Sequence, residues 1–186
     1  MSAIFLIGKK TVLRPISVSD IVIFTKWMNN SETRRYLTQR FPMTETAEES
    51  WIKKVSLSPN NPTDVRLVIQ TKDEGKPIGT IALHNINWVD RNATTGTIIG
   101  EADFRSKGYA TDAKMVLLEY AFQTLGMHKI ISRAFASNTA SIEYSKRCGY
   151  TVEATLKDEV FGEGSWQDIV LLACFYPAWK LAAEKR

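Results

Sequence analysis

The chain has 186 residues, with 24 Lys and Arg against 20 Asp and Glu and a formal charge of +4. Hydrophobic residues make up 44% and charged residues 24%, the balance of an ordinary soluble globule, which excludes collagen-like, disordered and disulfide-scaffold classes. The basic excess is too mild for a nucleic-acid binder, and no run reaches the ~20 apolar residues of a membrane span, so the expectation is a soluble cytoplasmic protein with no nucleic acid and no membrane among its partners.

The elements read as follows in chain order. Thr11–Arg14 opens as a strand, and Pro15 stops it. Ser17–Asp20 offers caps for a helix over Ile21–Met28, which Asn29 and Asn30 end. Thr44–Val55 reads as a second helix, with Glu48 and Glu49 in its first turns and Trp51, Ile52 and Val55 on its apolar side. Ser58–Asp64 is a polar loop. Three strands follow, Arg66–Gln70, Ile78–Asn85 and Thr94–Ala102, joined by turns at Lys72–Lys76 and Asp90–Asn92. The period then changes. Ala110, Ala113, Leu117, Tyr120 and Ala121 recur at helical spacing, so Gly108–Leu125 is a long helix closed by Gly126. Ile130–Phe135 is a buried strand, and Thr139–Cys148 is a helix stopped by Gly149. Tyr150–Thr155 and Asp168–Phe175 are the last strands, separated by the polar loop Lys157–Gln167, and Pro177–Lys185 is a terminal helix.

A helix between two strands makes them parallel, whereas the hairpins before it are antiparallel. The expected fold is therefore α/β of the α+β kind: a mixed, mostly antiparallel sheet of about seven strands with helices on both faces. Cys148 and Cys174 lack C-x-x-C spacing and read as buried apolar residues in a reducing compartment. With His84 and His128 as the only histidines, no metal site is expected.

Chemistry concentrates at Ile99-Gly100-Glu101-Ala102-Asp103-Phe104-Arg105-Ser106-Lys107-Gly108-Tyr109-Ala110-Thr111. A strand ends, a short basic loop follows, and a helix begins. The first-turn N–H groups of that helix lack intrahelical partners and carry the positive end of its dipole. An anion placed there collects several backbone hydrogen bonds. Gly108 lets the backbone approach a ligand closely, Ala110 is small, and Arg105 and Lys107 add charge. The result is a pyrophosphate cradle that matches neither GxxxxGKS/T nor GxGxxG. Taken alone, R-x-x-G-x-A also reads as a basic turn capped by a helix.

The next helix carries Asn138-Thr139-Ala140-Ser141-Ile142-Glu143-Tyr144-Ser145-Lys146-Arg147-Cys148-Gly149-Tyr150. With it the sequence resembles the GCN5-related N-acetyltransferase (GNAT) superfamily, and within it the group that acetylates ribosomal-protein N-termini and related amines. Arg105–Ala110 is similar to that family's Q/R-x-x-G-x-G/A motif. Asn138-x-x-Ser141 and Gly149-Tyr150 are similar to its N-x-x-S/A helix and G-F/Y strand. Val12-Leu13-Arg14-Pro15 with Asp20 matches the group's opening, and Gly164-x-x-x-Asp168 its close. The resemblance runs from about Gly8 to Trp179 and implies one N-acetyltransferase domain over 1–186.

The resemblance implies a sheet splayed at its central parallel pair, with the pantetheine of acetyl-CoA in the gap, paired to backbone at Ala102 to Phe104. Arg105, Ser106, Lys107, Gly108, Tyr109, Ala110 and Thr111 would surround the pyrophosphate. Asn138 would hydrogen-bond the pantetheine arm. Ser141, one turn on, would donate to the departing sulfur. Lys146 and Arg147 are candidates for the 3′-phosphate, with solvated surface charge the blander reading. Two departures stand out. Ser145 occupies the position of the family's tyrosine acid, and Tyr144 precedes it by one residue, about 100° round a helix. Thr94 or Thr95 stands where relatives carry a glutamate. Tyr144 is thus a candidate acid, with packing the blander reading; Glu101 is a candidate proton relay, with a strand-end or loop carboxylate the blander one; and His84 reads as a structural histidine ahead of a base. The implied reaction is direct transfer of acetyl to a primary amine, with a backbone N–H stabilising the oxyanion. The acceptor, a protein N-terminus or a small amine such as a polyamine or amino sugar, would sit between Asn29–Thr46 and Lys157–Trp166. The alternative is a coenzyme A-binding module without chemistry. A homodimer is common in such folds.

Overall fold

The computed structural model describes residues 3–56 and 62–186. Its eight strands form one sheet in the order β1-β2-β3-β4-β5-β6-β8-β7. These are β1 (Leu6–Ile7), β2 (Thr11–Pro15), β3 (Val65–Thr71), β4 (Pro77–Asn87), β5 (Asn92–Ile99), β6 (Lys129–Phe135), β7 (Thr151–Gly162) and β8 (Ser165–Phe175). Every neighbouring pair is antiparallel except β5 with β6. That exception follows from the connection. Helix α4 (Tyr109–Glu119) carries the chain back over the sheet, so the next strand runs in the same direction. The mixed sheet is the one the sequence implied, with β1 as an additional short edge strand.

Alternate strand residues face opposite layers. Leu67, Ile69, Ile81 and Leu83 join Ala113, Leu117 and Leu118 of α4 and Ala121 just beyond it in the main core, together with Trp179 of α6 (Tyr176–Glu184). Burial of each such large apolar side chain contributes roughly 1.5–3 kcal/mol. Val68 faces the other way, onto Phe24 and Trp27 of α1 (Ile21–Asn29). Helices α1, α2 (Ser31–Arg34) and α3 (Glu45–Ser56) pack together on that side, while α5 (Thr139–Arg147) packs with α4 on the first.

The opening Arg14…Asp20 pattern has a physical basis. Arg14 grips Asp20 through both terminal nitrogens, at 2.8 and 2.6 Å, and both residues are buried. Asp20 also accepts from the Ser17 backbone N–H, and the Ser17 hydroxyl accepts from that of Ser19. This capping box sets the entry into α1.

Several expectations need correction. Lys157–Gln167 is not a loop, because β7 and β8 remain paired out to Gly162 and Ser165. The register breaks between Val152 and Ala154 and between Leu156 and Val160, and most of β7 is exposed, so the strand lacks the alternation by which a sequence betrays one. β5 ends at Ile99 rather than Ala102, since Ala102–Phe104 coils into a 3-10 turn. The long helix is α-helical only to Glu119 and then widens into a π turn over Tyr120–Thr124. The loop read at Ser58–Asp64 lies, as far as residue 61, outside the described residues, as do the side chains of Trp51 and Val55. Ile52 is buried. Cys148 and Cys174 are buried free thiols, and burial pushes them up to about 11 and about 12 respectively. Among the described residues no cluster of His, Cys, Asp and Glu is arranged to hold a metal ion, and no helix is long and apolar enough to cross a membrane.

Candidate active site

The site begins where the parallel pair fails. β5 and β6 pair only from Asn92–Lys129 to Thr95–Ser132. Beyond that point β5 stays with β4 as far as Ile99, and β6 stays with β8 as far as Phe135. Thr95 closes the paired stretch. Its hydroxyl donates to the Ile131 carbonyl at 3.2 Å and lies 3.0 Å from the hydroxyl of buried Tyr150. Neither Thr94 nor Thr95 can serve as a base, and Thr95 instead braces the fork. Past it, alternate backbone N–H and C=O groups of residues 96–99 face a gap instead of a neighbouring strand. That gap forms a cavity of about 810 Å³. Gly108, Ala110, Thr111, Asn138, Ser141 and Tyr144 line it from the α4 and α5 side, and Trp27, Tyr36, Glu48 and His84 from the α1–α3 side.

Gly108 caps α4 at φ 86°. The first intrahelical bond runs from the Asp112 N–H to the Gly108 carbonyl, so the N–H groups of Tyr109, Ala110 and Thr111 are open to an anion. A Cβ on Gly108 would meet only Lys10 Nζ, at 3.8 Å. The glycine is therefore demanded by backbone conformation and ligand approach, not by crowding within the protein. A pyrophosphate fits this cradle on its backbone geometry.

The charges around the cradle differ from expectation. Arg105 lines the cavity, but its guanidinium is engaged with the Ile99 carbonyl, Thr33 Oγ1 and Glu32, at 3.1, 3.0 and 3.2 Å. It bolts the cradle loop to α2. Lys10, which spacing along the sequence does not reveal, reaches the Lys107 carbonyl at 3.1 Å. The turn that carries Lys10 is tied to α4 by Asp112, which accepts from the backbone N–H groups of Lys9, Lys10 and Thr11. Burial pushes the Asp112 carboxyl up, but hydrogen bonds from Lys10, Thr11 and Arg186 outweigh it and hold the group below the usual range. Phe104, Ser106 and Ala110 face the cavity with Arg105. Tyr109 packs on Phe104 and under Lys10 instead, and Ala102 is exposed.

On α5, Asn138 Oδ1 accepts from the Ser141 N–H at 3.1 Å and caps the helix. Ser141 and Tyr144, three residues apart, both line the cavity. Ser145 is fully buried and accepts from Lys114 Nζ at 3.4 Å. Fully buried Lys114 places that ammonium 4.5 and 4.8 Å from the ring centres of Tyr144 and Tyr150. The one-residue shift of the tyrosine thus exchanges roles: position 145 faces the core and position 144 the cavity. Lys146 pairs with Glu143 at 2.8 Å, whereas Arg147 lines the cavity.

Glu101 stands apart from the cavity lining. Its Oε1 accepts from the Trp27 indole at 2.8 Å and from Lys26 at 3.2 Å. The Trp27 bond chiefly holds its carboxyl below the usual range, which makes it a stabilised anion and a weak proton acceptor. On the α1–α3 side, burial raises the Glu48 carboxyl, with Arg66 opposing. His84 lines the same chamber, with Nδ1 3.0 Å from Asp64 Oδ1. The β7–β8 hairpin closes toward this side through Glu159–Arg133 and Glu163–Arg35.

A sheet forked at its parallel pair, with an open helix N-terminus beside the fork, is the architecture of an acyltransferase. The chain belongs to the GNAT acetyltransferase family, whose domain matches residues 10–151. It is 26% identical over 173 residues to the spermidine N(1)-acetyltransferase of Escherichia coli (strain K12), covering 93% of this chain and 89% of that protein. It is 30% identical over 107 residues to YdaF of Bacillus subtilis (strain 168), provisionally assigned as a ribosomal N-acetyltransferase, over 58% of each chain. The crystal structure of spermidine N-acetyltransferase from Vibrio cholerae in complex with CoA and spermine shares the fold, with a TM-score of 0.85 and 22% identity over 93% of this chain and 99% of that one. The protein is an acetyl-CoA-dependent N-acetyltransferase.

Proposed function

We propose that the protein acetylates a primary amine of a small aliphatic polyamine. The observation that carries this reading is the chamber on the α1–α3 side of the fork. Trp27, Met28, Tyr36 and Phe135 wall it with apolar and aromatic surface, Glu48 lies within it beside Arg66, and Glu32 is paired with Arg105. Methylene segments suit such walls, and ring faces attract ammonium groups. The E. coli relative that spans most of the chain is named for spermidine acetylation, which supports the same class.

Coenzyme A would lie with its pyrophosphate on the N-terminus of α4 and its arm along the β5 edge, and its thioester supplies the activated acetyl group. The chain's own groups then do the rest. The forked strands hold the amine and the carbonyl at attack distance, and an unpaired backbone N–H of residues 96–99 faces the developing oxyanion. Ser141 donates to the leaving sulfur, with Tyr144 beside it on the same helix face. The transferase domain takes in about residues 8–179, and its free thiols suit the cytoplasm. Thiol release from acetyl-CoA across an amine panel tests the reading. Polyamines should be the fastest acceptors. Fastest turnover of peptides with free N-termini would transfer the assignment to protein acetylation, and tight acetyl-CoA binding with no acceptor would leave only a binding module.

A further inference from the structure

The primary amines in question are protonated at neutral pH, so one proton must leave before nitrogen can attack. Glu101 is poorly placed to take it: it lies outside the cavity lining and is already engaged by Trp27 and Lys26. The chamber contains a better acceptor.

His84 is on β4, where residues 80, 82 and 84 share one sheet face. Thr80 lies opposite Val68, and Val68 packs on α1, so His84 faces the α1–α3 layer, the side from which the amine would arrive. Its Nε2 lies 2.9 Å from the position a Cβ on Gly96 would occupy. Gly96 is the first β5 residue past the fork and also lines the cavity. A side chain there would collide with the ring, so glycine makes the room for the imidazole, which lies 26% exposed among the cavity residues. The other ring nitrogen is 3.0 Å from Asp64 Oδ1. A carboxylate cannot donate, so Nδ1 carries the hydrogen and Nε2 presents a lone pair.

Resting on the acetyltransferase reading above, we propose that His84 Nε2 receives the proton of the acceptor ammonium, with Asp64 as the residue that positions it. The charged groups around it agree with this role. Asp64 and Arg66 flank the ring, Glu48 of α3 faces Arg66, and Arg133 of β6 lines the same cavity. Burial first, and Arg66 second, hold the imidazole below its ordinary 6.5. It is therefore neutral and ready to accept at neutral pH. In the step, R–NH3+ gives one proton to Nε2, directly or through one water. The freed lone pair forms the C–N bond at the thioester carbonyl, and the C–S bond breaks with its electron pair moving to sulfur. A second nitrogen proton reaches sulfur through the Ser141 hydroxyl, and His84 returns its own to solvent. The products are the amide, the free thiol and one proton.

His84→Gln and Asp64→Asn test this in the full-length protein. The wild type should show kcat/KM rising with pH through a limb below 6.5, separate from the titration of the amine. His84→Gln should lower kcat by about 100-fold or more and abolish that limb, with acetyl-CoA affinity unchanged as the control for folding. Asp64→Asn should move the limb and lower kcat while leaving KM for the amine nearly unchanged. Imidazole NMR titration of the two histidines, with His84→Gln as the assignment, should show hydrogen on Nδ1 of His84 and none on Nε2. His84→Gln with wild-type kcat and pH profile would overturn the proposal, as would an Nε2–H tautomer. If no amine is acetylated, the polyamine reading fails, and the tautomer still decides whether Nε2 is a proton acceptor.

Discussion

Gly108→Ala and Gly108→Asp together separate backbone from charge at the cradle. Gly108 sits at φ 86°, where any side-chain-bearing residue costs about 1–2 kcal/mol. That cost falls on folding, so both variants should lose about 2–8 °C in Tm. Sterics add little in the free protein, since the new Cβ would meet only Lys10 Nζ at 3.8 Å. Asp differs from Ala by its charge. A carboxylate about 6 Å from one phosphate charge is repelled by about 3 kcal/mol at an effective dielectric of 20. Lys10 offsets part of this, leaving about 2 kcal/mol, or roughly 30-fold in affinity. Calorimetry with coenzyme A should therefore show a loss of a fewfold for Gly108→Ala and about 30-fold for Gly108→Asp. Acetyl-pantetheine, which lacks the phosphates, should not distinguish the two. Unchanged coenzyme A affinity in Gly108→Asp, or an equal loss for acetyl-pantetheine, would place the pyrophosphate elsewhere.

Four further outcomes follow from the same geometry. Asp20→Ala leaves Arg14 buried without its carboxylate and should cost about 3–5 kcal/mol in denaturant unfolding; a change under 1 kcal/mol would show the pair to be dispensable. Asn138→Ala removes the α5 cap and should cost about 1 kcal/mol while weakening coenzyme A binding, and unaltered stability would contradict the cap. A Cβ on Gly100 would fall 2.2 Å from the Trp27 ring, so Gly100→Ala should shift Trp fluorescence and raise KM for the amine more than for acetyl-CoA. Asp112 is held below its ordinary 3.8, so its stabilisation is complete above about pH 4 and is lost as pH falls through the lower folded value. The Tm gap between wild type and Asp112→Asn should therefore close on acidification, and a gap constant down to pH 2 would refute the assignment.

Much of this molecule was legible before folding. Hydrophobic period separated strands from helices because burial acts on local spacing, so the hairpins, the parallel pair and the α4 crossover could be placed from residues alone. Gly108 and Ala110 behind a basic loop marked the start of α4, because helix N-termini expose N–H groups wherever they occur. Asn138 stood out only through its resemblance to the N-x-x-S/A helix, and the structure adds that it caps α5.

Contacts between distant segments were decided only by the tertiary structure. Arg105 looks like a free cation in the sequence, yet Glu32 and Thr33, more than seventy positions earlier, claim it. Lys10 reaches the cradle only because Asp112 pins its turn to α4. The exposed outer half of β7 exists through pairing with β8, which leaves no apolar alternation to read. The exchange of Tyr144 and Ser145 between cavity and core depends on the angle at which α5 lies against Lys114. His84 changed most. A lone histidine on a strand is ambiguous because its chemistry depends on what faces each ring nitrogen, and only folding set Asp64 against one and brought the other beside Gly96 at the fork.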